Sequence, residues 1–319
     1  MPSGVARKPS LGRGRSTTPA RRVGGVSCLI DGGDNARRHI IRAFCEEHAM
    51  TEEVAPTGCT TQGSLGMPVG VTVDLRTASL LSGLYGVTGA IAAVLLLPLI
   101  AARTEVQLPV PTPVFAALLA VQLMVIYALL GWAGLRMARR RGLDPAPTLT
   151  KLWQGLGVRI GWHGMAAGAV GGLISGAALV LVVKIITRVL PGTLPAMLHP
   201  PSAASALAAS TAAALGEEIL CRLLLLSLVL RLLPPGARWG CAAANVISAL
   251  AFGVLHWPGM VALFGGLSGV PALAWVWFVL LNALVGVVFG ALYLWHGIGA
   301  AIAGHWFCDL VWHVGSVLA

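Results

Sequence analysis

From Ala78 to Ala101 the chain reads ASLLSGLYGVTGAIAAVLLLPLIA without one charged side chain, and residues 114–135 repeat the pattern. About 20 apolar residues in a row is the length a helix needs to cross the ~30 Å hydrocarbon core of a bilayer. In lipid each backbone N–H and C=O must be satisfied inside the protein, which leaves the helix as the form such a stretch can take. Further apolar stretches lie at about 160–183, 203–230, 239–257, 271–294 and 298–318, and Pro258 is expected to stop the fifth span. The expected fold class is therefore all-α, a polytopic membrane bundle of about seven transmembrane helices. Composition excludes the alternatives. Only 11% of residues are charged and mean hydropathy is +0.81, whereas soluble domains are about a quarter charged. A soluble globular enzyme and a disordered chain are both ruled out.

Residues 1–75 differ from the rest. Arg7, Lys8, Arg13, Arg15, Arg21 and Arg22 are scattered among Gly, Ser, Pro and Thr. No apolar run follows them at signal-peptide distance. This segment is expected to be a disordered basic tail able to lie on anionic lipid, or to precede a later start at Met50 or Met67. Residues 76–199 then form the N-terminal membrane helices and 200–319 a second group. The 22 basic residues outnumber the 12 acidic ones. In a membrane protein that excess marks cytoplasmic loops rather than nucleic-acid binding. Arg136, Arg139, Arg140, Arg141 and Lys151 face the lone Asp144, so the 136–159 loop is expected inside the cell. The six cysteines have no metal-ligand spacing. No internal repeat is evident, which weakens an inverted-repeat transporter.

Beyond residue 160 the only acids are Glu217, Glu218 and Asp309, and all three fall inside predicted spans. A carboxylate at the bilayer centre costs on the order of 3 kcal/mol or more, so it faces a bundle interior or a wet cavity. Glu218 and Arg222 are four residues apart and share a helix face. Glu217 projects about 100° away from that face. One carboxylate can thus be held ionised by Arg222 while the other stays available as a general base. Two more pairs have the same spacing: Phe252 with His256 at the end of the fifth span, and His305 with Asp309 in the seventh. Taken singly, an intramembrane His is more often a packing hydrogen bonder than a ligand, and Glu218 with Arg222 could be a structural pair. Together, two His and one or two Glu from separate helices form a credible metal or water-activating site.

This ordered series, Glu-Glu-x-x-x-Arg, then Phe-x-x-x-His, then His-x-x-x-Asp, resembles the CPBP family of intramembrane proteases (CAAX proteases and bacteriocin-processing enzymes, also called ABI), which includes the type II CAAX prenyl endopeptidases. The resemblance covers about residues 200–318. It extends to Ser248 ahead of Phe252 and His256, and to Gly286, Gly290, Tyr293 and Gly297 leading into His305. It implies hydrolysis of a peptide bond in a membrane-embedded or lipidated, prenylated-type substrate by a multi-pass protein, expected in a bacterial cell membrane, with the bilayer and not nucleic acid as partner. Glu217 would activate water, with Glu218 and Arg222 supporting it. His256 and His305 would position the water or a divalent metal such as Zn²⁺ and stabilise the oxyanion. The chain departs from the family at Asp309, where Asn is commoner, and at Cys221, where Phe is usual.

Other functions have weaker footholds. Gly266-Leu267-Ser268-Gly269 matches the GxSG of rhomboid serine proteases, a match common by chance. No HExxH is present. Buried Glu, His and Asp also build proton relays or serve non-catalytic membrane scaffolds.

Overall fold

The computed structural model describes residues 71–104, 110–156, 162–189, 202–264 and 266–314. Among these every regular element is helical. The basic tail up to residue 70 lies outside the described residues. Helix α1 (Val71–Thr104) begins seven residues earlier than the apolar run suggests. It is followed by α2 (Thr112–Arg139), α3 (Pro147–Trp153) and α4 (Trp162–Val189). Proline opens α2 and α3 within the first helical turn, where a missing N–H costs nothing.

Helix α5 is one rod in three parts: α-helical Ala203–Glu218, π-helical Ile219–Leu226 and α-helical Ser227–Leu232. A capping box starts it, with Ser202 Oγ accepting from the Ser205 amide and Ser205 Oγ accepting from the Ser202 amide. Then come α6 (Gly240–Leu255), α7 (Trp257–Leu263), α8 (Ala272–His296) and α9 (Ile298–Asp309), which continues as a π segment, Leu310–Val314. The expectation that Pro258 stops the fifth span is corrected. The chain turns at His256 and resumes helix at Trp257, with Pro258 in the first turn of α7, the position proline tolerates.

Five helical stretches are long and apolar enough to cross a membrane: Thr72–Pro98, Thr112–Arg139, Trp162–Val189, Gly240–Val261 and Ala272–His296. The protein is an integral, multi-pass membrane protein. Its outer faces carry exposed apolar stripes at helical spacing, such as Leu118, Val121, Val125 and Leu129 on α2, as lipid-facing helices do. The two expected spans that hold the acids, α5 and α9, fall outside those five and sit among the others. Helix α9 packs on α4, α5 and α8, and α5 packs on α1, α2 and α9.

Close helix contact fixes α9. Gly168, Gly172 and Gly176 form a buried ridge on α4, and a Cβ on any of them would run into the Ala300, Gly304 or Cys308 carbonyl of α9. Small residues at this spacing let two backbones touch, which is how helices gain attraction in lipid. The start of α9 is set by Gly297, whose φ of 84° belongs to the left-handed region, and by the Ile298 amide donating to the Pro145 carbonyl at 2.7 Å.

At the same end of the bundle, Arg139 joins three elements. Its Nε donates to Asp74 of α1 at 2.6 Å and its Nη2 to Thr150 of α3 at 2.9 Å, while Asp144 lies 3.3 Å from Nη1. Arg141 donates to the carbonyls of Arg231 and Leu233 at the end of α5. Between this basic end and the middle of the bundle lies the largest apolar core, with Leu135, Ile219, Leu223, Leu226, Leu230 and Ile298.

Candidate active site

The acids of α5 sit where its helix changes type. In a π-helix each amide reaches back five residues instead of four, which widens the turn. Two hydroxyls meet its carbonyls. Ser248 on α6 donates to the Cys221 carbonyl at 2.6 Å, and Ser227 Oγ, 2.8 Å from the Tyr293 hydroxyl, lies 3.5 Å from the Arg222 carbonyl. Gly134 on α2 meets the same turn, and a Cβ there would collide with the Leu223 carbonyl. The expectation of a regular fourth span is thereby refined: the widened turn begins directly after Glu218.

Arg222 is completely buried and is held from several sides. Its Nη1 lies 3.2 Å from Glu218 Oε1, its Nη2 donates to the Gly286 carbonyl at 2.9 Å, and the guanidinium stands 4.5 Å above the Phe252 ring. A charge in a water-free interior needs this much compensation. Glu218, equally buried, receives a second partner from α9: His305 Nδ1 donates to its Oε1 at 2.9 Å. The imidazole is clamped between Phe289, stacked at 4.9 Å, and the edge of Phe252 at 5.6 Å. Glu218, Arg222 and His305 thus form one buried triad spanning α5 and α9.

Glu217 projects away from that triad. Its Oε2 is 3.7 Å from His256 Nε2 and 3.8 Å from His305 Nε2, and makes no direct hydrogen bond. His256 Nδ1 donates to the Phe252 carbonyl at 2.8 Å. In both rings Nδ1 is therefore committed to an acceptor, and Nε2 is the atom turned toward Glu217. Asp309 Oδ2 lies 3.7 Å from the same His305 Nε2. All six residues expected from the sequence, Glu217, Glu218, Arg222, His256, His305 and Asp309, meet in one cluster drawn from α5, the α6–α7 junction and α9.

A catalytic metal would set a stricter requirement on this arrangement. Zn²⁺ in a catalytic site takes three protein ligands. Among the described residues no group of three or more His, Cys, Asp and Glu side chains has the geometry to hold a metal ion. His256 and His305 offer one nitrogen each, and the neighbouring Glu217 and Asp309 carboxylates do not complete a three-donor set around one point, so the residues as they stand do not fit such an ion.

Two residues near Glu217 escaped the sequence reading. Tyr85 on α1 presses its ring on Gly216, where a Cβ would overlap it, and meets Tyr127 of α2 in a tilted contact, ring centres 4.3 Å apart. The chain has three tyrosines in all. A polar aromatic inside an otherwise uncharged span was the only available signal. Ser268 of the GxSG match is exposed in a short 3₁₀ turn, Leu267–Gly269, after α7. Trp306 links α9 to α5 by donating to Thr211 at 3.0 Å.

Residues 199–311 match the family model of type II CAAX prenyl endopeptidase Rce1-like proteins. No curated protein and no solved structure matches the chain.

Proposed function

Through residues 199–311 the chain is a member of the CAAX protease (CPBP) family, and from that premise we propose that it is an intramembrane endopeptidase in which Glu217 activates water against a peptide bond of a membrane-associated or lipidated substrate. The observation that supports this most is the placement of Glu217 Oε2 at 3.7 and 3.8 Å from two imidazole nitrogens. These gaps are too long for direct hydrogen bonds and suit a single oxygen shared among all three groups.

The chemistry then runs on this chain's own groups. Glu217 takes a proton from water as the oxygen attacks the substrate carbonyl carbon. The carbonyl π pair moves to oxygen, and that oxyanion is met by Nε2–H of an imidazole in its protonated form. As the C–N bond breaks, Glu217 returns the proton to the departing amine, leaving a carboxylic acid and an amine. Glu218 and Arg222 touch neither substrate nor water. They fix the tautomer and position of His305, as a carboxylate does for a catalytic histidine.

The decisive test is hydrolysis of membrane-anchored peptides by purified protein in detergent, wild type against Glu217→Ala. Loss of cleavage in the variant supports the reading. Cleavage unaffected by the substitution overturns it and returns the buried acids to a scaffold or relay role.

A further inference from the structure

We propose that Asn282 of α8 anchors the substrate: its side-chain amide takes the main chain of an extended peptide segment beside the bond that Glu217 attacks. The proposal rests on the proteolytic reading for the identity of the ligand, but its geometry stands on separate observations.

The first observation is where Asn282 lies on its helix. Successive residues turn by about 100°, so Val279 stands about 60° to one side of it and Leu292 about 80° to the other. Val279 faces α6, since a Cβ on Gly253 would run into its carbonyl. Leu292 faces α9, since a Cβ on Gly304 would run into its Cδ1. Asn282 therefore points into the gap between α6 and α9, the helices that carry the chain to His256 and His305.

Neighbours on the same stripe of α8 set its height. Phe278, one turn before Asn282, meets His256 with ring centres 6.2 Å apart. Phe289, two turns after it, stacks on His305 at 4.9 Å. Both lie within about 40° of Asn282 around the helix. The amide thus stands at a level between the two rings that face the imidazoles, and Glu217 Oε2 sits between those same imidazoles. Helix α8 adds a fourth wall to a site whose other groups come from α5, the α6–α7 junction and α9.

The third observation is unused hydrogen-bonding capacity. Asn282 is the one amide side chain in the 25 residues of α8. It is half-buried, whereas Gly286 and Phe289 on the same stripe are buried. Its Nδ2 donates to the Phe278 carbonyl of its own helix at 2.8 Å. An asparagine amide has two N–H donors and an acceptor oxygen, so one N–H and Oδ1 keep no protein partner among the described residues. A peptide held extended in a membrane site has lost its helical hydrogen bonds and needs partners for its own N–H and C=O. The free N–H and Oδ1 of one amide match that pair. A purely helix-internal role is met by the Phe278 bond alone, which a threonine can also make, as Thr187 does to the Val183 carbonyl.

The test measures binding, so that it does not depend on turnover. Full-length Glu217→Gln protein in detergent is titrated into a fluorescent peptide carrying a hydrophobic anchor, and anisotropy gives Kd. Asn282→Leu and Asn282→Thr are compared in the same background. Both should bind about fivefold more weakly, the equivalent of one net hydrogen bond. A series of peptides, each N-methylated at one main-chain amide, locates the contact. Methylation at one position should weaken binding to the Asn282 protein by about the same factor and add nothing in Asn282→Leu. Unchanged Kd in Asn282→Leu overturns the proposal. So does full binding by Asn282→Thr, which would make the Phe278 bond the whole role, or a methylation penalty that persists at every position in Asn282→Leu. If Asn282→Leu does not accumulate, Asn282→Thr carries the comparison. Binding with the expected pattern, but no cleavage of the same peptide when Glu217 is intact, removes the proteolytic reading and leaves the anchor standing. No binding by any of the proteins overturns both.

Discussion

Ser248 donates its hydroxyl to the Cys221 carbonyl at 2.6 Å, tying α6 to the widened turn of α5 that carries Arg222. This bond runs from one helix to a main-chain carbonyl of the other. It also sets the height of α6, and with it the position of His256 two turns further on. Ser248→Ala should lower stability by roughly 1 kcal/mol, the net worth of a buried hydrogen bond between membrane helices. Because the hydroxyl touches no reacting atom, the rate loss should be smaller than for any change at Glu217. Thermal unfolding in detergent reads the first effect. An unchanged midpoint would show that the carbonyl finds another donor.

Glu217→Gln keeps the size of the side chain and removes its ability to accept a proton from water. Its side chain is the most exposed of the three intramembrane acids, so the fold should tolerate the change. Turnover should drop by about 10² or more, the lower bound of what general-base catalysis supplies. Activity within a few fold of wild type on a membrane-anchored peptide would remove Glu217 from the chemistry.

Arg222→Ala should behave differently, because the damage is to the structure around the site. It leaves the fully buried Glu218 beside His305 without its guanidinium, and breaking one half of a buried pair costs about 3–5 kcal/mol. Expression and thermal midpoint should fall together with activity. The double change Arg222→Met with Glu218→Gln removes both charges, and should recover much of the stability while activity stays low. Stability lost equally in the single and double variants would mean that packing, not charge, holds this corner.

These pairings show what the sequence made legible. Residues four apart on one helix share a face, so Glu218 with Arg222, and His305 with Asp309, could be read directly from spacing. The bond from His305 to Glu218 could not, because it depends on α9 lying against α5, and that neighbour relation comes from the Gly168, Gly172 and Gly176 ridge on a different helix. The π segment was invisible for a similar reason. Its hydroxyl partners, Ser248 and Ser227, are ordinary small residues until the carbonyls they serve are known. Pro258 misled because the same residue that ends a helix also begins one. Asp74 lay before the first apolar run, and only its contact with Arg139 draws it into the bundle.

The glycine ridge gives a prediction remote from any chemistry. Gly172→Ala would place a Cβ against the Gly304 carbonyl, one residue before His305. Backbone cannot yield as a flexible side chain does, so α9 must shift. Overpacking of this kind costs about 1–3 kcal/mol, and a displacement of His305 by even a fraction of an ångström should reduce turnover. Gly171→Ala on the same helix meets only side-chain atoms of Leu292 and Val288 at 3.5 Å or more, and should be nearly neutral. Equal effects of the two substitutions on the thermal midpoint would rule out the close-contact account.

Metal dependence and Asp309 are best decided together. Without a metal, Asp309 contributes through its 3.7 Å approach to His305 Nε2, and an amide at this position can donate a hydrogen bond where an ionised carboxylate can only accept. Asp309→Asn should then preserve or raise activity. The purified wild type should contain far less than one zinc per chain by elemental analysis and keep its activity after treatment with 1,10-phenanthroline. With a metal the signs reverse. Asp309 would be the third ligand beside His256 and His305, its replacement by Asn would weaken binding, and chelation would inactivate the enzyme. The six groups as they stand hold their nitrogens around Glu217 and not around a common point with three donors. The expected outcome is therefore the metal-free one, and stoichiometric zinc in active protein would overturn it.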